Sequence, residues 1–454
     1  MAADYARRVS HPTLAEVRAV GTPARETAWL RRAARAFQIL ALLLLPGLFV
    51  QYARGNLEVN DFSIYYTAAR AVLDGVDPYS VEGPSGRSFV YPPGFAVLLA
   101  PFAVLPFAVA AVLWTALGLV AVLASLWLCL DLLGISRGPA AWTVGGLALL
   151  CSGRMLDSEL GNGQANHWVL LGLAACAWLC ARGRSALGGV ALSLAIVAKV
   201  TPLLFAVYLA GKREWRALAG LLAGLAVLGA LLPALALGPR GALDANLTWA
   251  DAVLRPVVRS APRPTPPDRD HPGRVHGISL RALAHRYLTW SQAASHLDAP
   301  VFVNFVAWSP RTAELVYRTA TLLALAAAAL ALGARPARDG PRWLLEVSIV
   351  AATMVLIAPL SRKAHFVVLL LPFVYAVAQA SKGGRRAALV WVLPPALVFV
   401  ATSPGVMGKP GAALALAWGA YTAAALWLWV GALHAGWRDS RGMSRSPAPQ
   451  GDPP

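Results

Sequence analysis

Polar residues in this chain gather in four short stretches, and each carries groups able to handle a hydroxyl or a phosphate. The first is Asn60-Asp61-Phe62-Ser63-Ile64-Tyr65-Tyr66. A carboxylate at Asp61, set where water meets an apolar segment, is partly desolvated, which suits it to take a proton from a hydroxyl. The same aspartate also reads as the solvated cap of a helix that starts at Phe62, and spacing alone favours that plainer role. The second stretch, Phe89-Val90-Tyr91-Pro92-Pro93-Gly94, uses two prolines to fix an extended entry into an apolar segment. The third runs from Arg154 to His167 and includes Asp157, Glu159, Gly161, Asn162, Gly163, Gln164 and Asn166. Amides and glycines at the mouth of an apolar segment suit hydrogen bonds to a sugar or headgroup, and suit N-capping equally well. The fourth pairs Lys199-Val200-Thr201-Pro202 with Ser361-Arg362-Lys363-Ala364-His365. Cations there fit a phosphate, or snorkel to the headgroups of ordinary lipids.

These stretches punctuate apolar blocks that recur from Ala36 to Leu433. The chain is 57% hydrophobic and only 14% charged, whereas soluble domains carry about 25% charged residues. Blocks near the bilayer-spanning length of about 20 residues predict an all-α polytopic membrane protein. The net charge of +18 lies between the blocks, which speaks for membrane topology and against nucleic-acid binding. Cys129, Cys151, Cys176 and Cys180 fall in or beside apolar blocks, and no His or further Cys completes a metal site. Dinucleotide-binding glycine loops, Walker loops and HExxH helices are missing from the sequence. No metal and no cofactor is expected.

Positive charge sets the expected topology. Residues 1–35, with seven Arg, form a cytoplasmic tail, and the first span acts as an uncleaved signal anchor. The membrane-embedded domain covers 36–433, with outer loops at 53–106 and 239–312, and 434–454 is a disordered cytoplasmic tail. Segment 94–106 is short and bounded by prolines, hence interfacial or re-entrant. About twelve spans result, with Arg137, Arg182, Arg184, Lys212, Arg213 and Arg216 inside. The long outer loop opens with an irregular Pro/Arg-rich part, 255–272, followed by a helix over 279–288. Both termini are then cytoplasmic and all four polar stretches lie at the extracytoplasmic face.

Together the motifs resemble the polyprenol-phosphate-mannose-dependent glycosyltransferases of family 87. The matching stretches, in order, are DFSIYYTAARAVL (Asp61–Leu73), Asp77-Pro78-Tyr79, VYPPGFAVLLAP (Val90–Pro101), GQAN (Gly163–Asn166), KVTPLL (Lys199–Leu204) and PLSRKAHFVVLLLP (Pro359–Pro372). The resemblance implies a GT-C type fold, with short juxtamembrane helices and a catalytic aspartate in the first outer loop. Asp61 matches that aspartate, which reverses the reading from spacing alone. It implies that Asp61 deprotonates an acceptor hydroxyl, which attacks the anomeric carbon as the polyprenyl phosphate leaves with inversion. A β-linked mannosyl phosphate lipid would give an α-mannoside on a glycolipid or glycan acceptor. Lys199, His365, Arg362 and Lys363 are then expected on the donor phosphate. Tyr65, Tyr91, Gln164 and Asn166 are expected on the sugar or headgroup.

Two departures stand out. Arg362 occupies the place of a family Trp, and Ala364 that of the first of paired histidines. His276-Gly277-Ile278-Ser279-Leu280-Arg281 loosely matches a family Asn-Gln-Ser-Leu motif without its amides, which leaves an interest in Ser279 and Arg281 alone. The alternative is a transporter or flippase of lipid-linked sugars. That reading calls for ionisable residues near the bilayer midplane and inverted repeats, and the sequence shows neither.

Overall fold

A computed structural model describes residues 28–255, 277–293, 301–334, 337, 339–381, 386 and 388–442. Among these residues the regular structure is helical, apart from isolated bridge residues such as the pair Glu82 and Ser88. In chain order the helices are α1 (Ala28–Asn56), α2 (Asp61–Leu73), α3 (Pro93–Leu98), α4 (Ala100–Ala103), α5 (Phe107–Leu132), α6 (Gly138–Gly161), α7 (Asn166–Ala181), α8 (Ser185–Ala198), α9 (Leu204–Gly211) and α10 (Trp215–Ala226). A π turn, Val227–Leu231, leads into α11 (Leu232–Trp249). Then follow α12 (Leu280–Leu288), α13 (Pro310–Leu332), α14 (Gly340–Ile357), a 3-10 segment (Lys363–Leu369) running into α15 (Leu370–Ser381), α16 (Leu393–Ala401), α17 (Pro404–Ala417) and α18 (Ala420–Gly442).

This is an all-α polytopic membrane protein. Six helices are long and apolar enough to cross a bilayer, or seven if the sharply bent pair α16 and α17 makes one span. Shorter apolar helices, α7 and α8 among them, lie between these in the bundle. The first helix starts at Ala28, upstream of the expected Ala36, and the last continues to Gly442, so 434–442 is helical. The expected tails at 1–27 and 443–454, the Pro/Arg-rich part from 256 onward and His276 lie outside the described residues.

Packing follows from side-chain size. Helix α14 is apolar on all sides and buried along nearly its whole length, the pattern of a central helix. Helices α8 and α10 approach closely because a Cβ at Gly189 would stand 1.9 Å from the Ala217 carbonyl oxygen, and one at Gly220 2.0 Å from that of Ala186. Segment 94–106, expected to be interfacial or re-entrant, forms the short helices α3 and α4. Gly94 lets α3 touch the π turn, since a Cβ there would lie 1.9 Å from the Leu228 carbonyl oxygen. Helix α2 buries Phe62, Tyr65, Ala68, Ala69 and Val72, one helical stripe, against α3, α4 and α5. Phe62 stacks on Trp114 of α5 at 5.2 Å, and Tyr65 meets Phe95 of α3 edge-on at 5.5 Å.

Two buried polar clusters mark opposite ends of the bundle. At one end Glu346 accepts hydrogen bonds from Lys212 (2.8 Å), Arg342 (2.6 Å) and Tyr208 (2.9 Å), tying α9 to α14. The α5–α6 and α7–α8 connections, with Arg137, Arg182 and Arg184, belong to that end. The other end holds the α6–α7 turn, the C-terminus of α8 and the start of the 3-10 segment. The expected site residues lie there.

Candidate active site

Asp61 is the first residue of α2. Asn60 caps the helix by accepting from the Phe62 amide at 2.9 Å, and Asp61 offers its charge to the helix N-terminus. The Asp61 amide donates to the Asn162 carbonyl at 3.3 Å, fastening α2 to the α6–α7 turn. Gly163 makes this contact feasible. Its φ is +60°, and a Cβ would meet Asn56 Oδ1 and Asn60 Oδ1 at 2.9 Å each. Only glycine fits so tight an approach in the left-handed region.

The Asp61 side chain is 14% exposed and pairs with Arg87, with Nη1 2.8 Å from Oδ1. Arg87 Nε donates to Ser85 Oγ at 3.1 Å, within a loop closed by the Glu82–Ser88 bridge. Burial pushes the Asp61 carboxyl above its usual range, while the charges of Arg87, Arg362 and Lys199 pull it back. Burial and these three cations thus act on the Asp61 carboxyl in opposite senses.

Below Asp61 a chain of hydrogen bonds links three helices. Fully buried Glu159 of α6 accepts from Asn166 Nδ2 (2.7 Å), the His167 amide (2.9 Å) and His167 Nδ1 (3.0 Å). Asn166 Oδ1, at the start of α7, accepts from Lys199 Nζ at 2.9 Å. Lys199, at the end of α8, also donates to His365 Nε2 at 2.6 Å. On the other side of the ring, His365 Nδ1 accepts from the Arg362 amide at 3.3 Å. Gln164 Oε1 accepts from Asn166 Nδ2 at 3.4 Å.

Arg362 faces the same space, since its charge acts on Asp61, Lys199 and His365. Lys363 points elsewhere, toward Arg154 and Asp157 of α6. Tyr65 and Tyr91 share a 2.7 Å hydrogen bond between hydroxyls. Burial and the nearby Asp61 charge push the Tyr91 phenol up, keeping it neutral and able to donate. Tyr79, from the Asp-Pro-Tyr motif, donates to the Tyr91 carbonyl at 2.5 Å. The structure thus gathers Asp61, Tyr65, Tyr91, Gln164, Asn166, Lys199, Arg362 and His365 at one end of the bundle and turns Lys363 away.

Arg87, Glu159 and His167 were not expected as site residues. Glu159 carried only a weak signal, a carboxylate four residues before GQAN in a polar stretch. Arg87 carried none. Ser279 is the cap of α12, and Arg281 pairs with Glu314 at 2.8 Å, so both serve the fold. The Ile278 amide donates to the Ser361 carbonyl at 2.9 Å, strapping the long loop to the late motif. Among the described residues no group of three or more His, Cys, Asp or Glu is placed to hold a metal ion.

A multi-helix membrane bundle with a carboxylate facing cations at one end defines a class of polytopic membrane protein whose polar site opens among its helix ends. Residues 89–359, more than half of the chain, match glycosyltransferase family 87, and the chain belongs to that family. The matched stretch holds Glu159, Asn166 and Lys199; Asp61 precedes it and His365 follows it. The chain is also 29% identical over 198 residues to an alpha-(1->3)-arabinofuranosyltransferase of Corynebacterium glutamicum, covering 43% of this chain and 45% of that protein. The chain thus spans less than half the length of this relative. No solved structure matches it.

Proposed function

We propose that the protein transfers a sugar from a polyprenyl-phosphate donor to a hydroxyl of a glycolipid or glycan acceptor, at the extracytoplasmic face of the cell membrane. The observation that carries this reading is the meeting of Asp61 with Lys199, Arg362 and His365 at one bundle end. A base and a phosphate site must lie on either side of the anomeric carbon for a direct displacement. The acceptor oxygen gives its proton to Asp61 and bonds to the anomeric carbon. The bond from that carbon to the phosphate oxygen breaks, and the electron pair leaves on the polyprenyl phosphate. Lys199 and Arg362 stabilise the charge gathering there. One backside attack inverts the configuration. Tyr65, Tyr91, Gln164 and Asn166 offer hydroxyls and amides to the sugar.

Family resemblance alone points to mannose and an α-mannoside. The relative's name favours a pentofuranose, and we assign arabinofuranose as the donor sugar. Purified protein supplied with polyprenyl-phosphate arabinofuranose and with polyprenyl-phosphate mannose, in parallel, tests the choice by mass spectrometry of the products. Transfer from the mannosyl donor alone would reverse it. Asp61→Asn should lower turnover by about two to four orders of magnitude, the usual share of a general base, with an unchanged melting curve. Full turnover in that variant removes Asp61 from the chemistry.

A further inference from the structure

The motif Ser361-Arg362-Lys363-Ala364-His365 splits its cations between two places. Arg362 and His365 turn toward Lys199, and Lys363 turns toward α6. There it faces Arg154, seven residues before the end of α6, or about 10 Å along the helix axis. Helix α6 packs directly along the Lys363–Leu369 segment. The Nε of Arg154 is buried and has no hydrogen-bond partner. Lys363 makes no hydrogen bond or ion pair among the described residues. Tyr421 of α18 reaches the same place, its ring 5.6 Å from Phe366 and 4.7 Å from Phe399. It is fully buried, its hydroxyl has no partner, and the Arg154 charge acts on it. The nearby acid, Asp157, is solvent-exposed, accepts from Tyr52 at 3.5 Å, and forms no ion pair with either cation.

Two half-buried cations whose charges repel, beside an unsatisfied buried phenol, are costly unless something compensates them. Among the described residues no carboxylate lies within bonding distance of either cation, and Asp157 acts on Lys363 through its charge alone. A phosphate would answer all three groups at once. It accepts the planar fork of an arginine, the ammonium of a lysine and a phenolic hydroxyl. Phe366, Phe399 and Ala364 give the place an apolar lining, which suits a lipid-borne phosphate ester better than the free ion. We infer that Arg154, Lys363 and the Tyr421 hydroxyl form a second phosphate site, which seats a phosphate-bearing lipid other than the sugar donor. The inference rests on these unpartnered groups and not on the transfer reaction.

The test counts lipids retained by the full-length protein in detergent after exchange into dioleoyl phosphatidic acid, read by native mass spectrometry. The wild type should keep two molecules. The pair Arg154→Gln with Lys363→Gln should keep one, with binding weaker by about tenfold or more. The pair Lys199→Gln with Arg362→Gln should lose the other. Asp61→Asn should keep both, so failure of the transfer reading leaves this count unaffected. Unchanged retention in the Arg154/Lys363 variant overturns the site. Should that variant fold poorly, Lys363→Gln alone must show the loss and Arg154→Lys with Lys363→Arg must restore it; otherwise the site is overturned. A second arm adds inorganic phosphate. If that ion alone raises the wild-type melting temperature and the lipid does not, the lipid assignment is overturned.

Discussion

Arg87 Nη1 lies 2.8 Å from Asp61 Oδ1, so the carboxylate proposed as the base is engaged by a cation before any acceptor arrives. The pair comes from separate elements, the first turn of α2 and a loop closed by a single bridge. An acceptor hydroxyl must share or displace this contact to reach Asp61. Arg87 also holds the Asp61 carboxyl down against the upward push of burial.

The pH profile follows from that balance. On the proposed mechanism transfer needs ionised Asp61, so rate should rise with pH through its pKa. Burial already sets this pKa above the usual aspartate range, and Arg87→Gln removes an opposing charge. The rising limb should therefore move to higher pH in the variant. Rate below the limb falls, and rate above it matches or exceeds wild type as the competitor for Asp61 is gone. A limb that stays in place or moves to lower pH in a pH–rate profile contradicts the role given to this pair.

Glu159 acts at one remove. It fixes the Asn166 amide, which in turn holds Lys199. Glu159→Gln replaces one of two accepting oxygens with an N–H donor, although three donors point at this carboxylate. The donor KM should rise by about tenfold to a hundredfold, the worth of one disturbed buried hydrogen bond, with a smaller change in kcat. Steady-state kinetics over donor concentration separates the two. A pure kcat effect contradicts a positioning role through Lys199.

Gly163 is the tightest point between α2 and the α6–α7 turn. Gly163→Ala must either shift the Asn56 and Asn60 side chains or leave the φ of +60°. The cost should be about 1–3 kcal/mol, seen as a lower melting temperature. Turnover should fall with it, because the start of α2 carries Asp61. Wild-type stability would show that the turn has room the contacts deny.

The far cluster offers a control. Glu346→Ala leaves Lys212 and Arg342 without the buried carboxylate they share. Stability should drop by about 3–5 kcal/mol, measured by thermal melting in detergent. Turnover per folded molecule should be preserved, since this cluster stands at the opposite end of the bundle. Selective loss of turnover would mean the two ends are coupled.

Much of this was legible in the sequence where a motif constrains backbone and chemistry together. The apolar stripe after Asp61 let both helix and carboxylate be read, though Asp61 was read as the cap of a helix starting at Phe62, and the cap is Asn60 with α2 starting at Asp61. The prolines and Gly94 of the second stretch gave the entry to α3, though not the Leu228 backbone against which that glycine packs. Arg87 was invisible because loop residues carry no periodicity to show what they face. Lys363 misled for a related reason. Adjacent residues at the start of a 3-10 turn diverge, and the sequence gives both cations but not their directions. Glu159 looked like one more polar loop residue until α6 proved helical through Gly161. The span boundaries blurred because α7 and α8 are shorter than a bilayer is thick, and hydropathy alone sees neither their packing nor their tilt.

The backbone bond from Asp61 to Asn162 has a consequence for the lipid around the protein. Asn162 and Asn166 flank the same short turn, so the anchor of Asp61 and the support of Lys199 ride on one piece of chain. Thinner or thicker bilayers change helix tilt by hydrophobic mismatch. Tilting α6 or α7 carries that turn, α2 and the Asn166–Lys199 contact together. The spacing between Asp61 and Lys199 should thereby be insulated from membrane thickness, and the proposed chemistry should tolerate a change of acyl-chain length that would disturb a site assembled from independent spans.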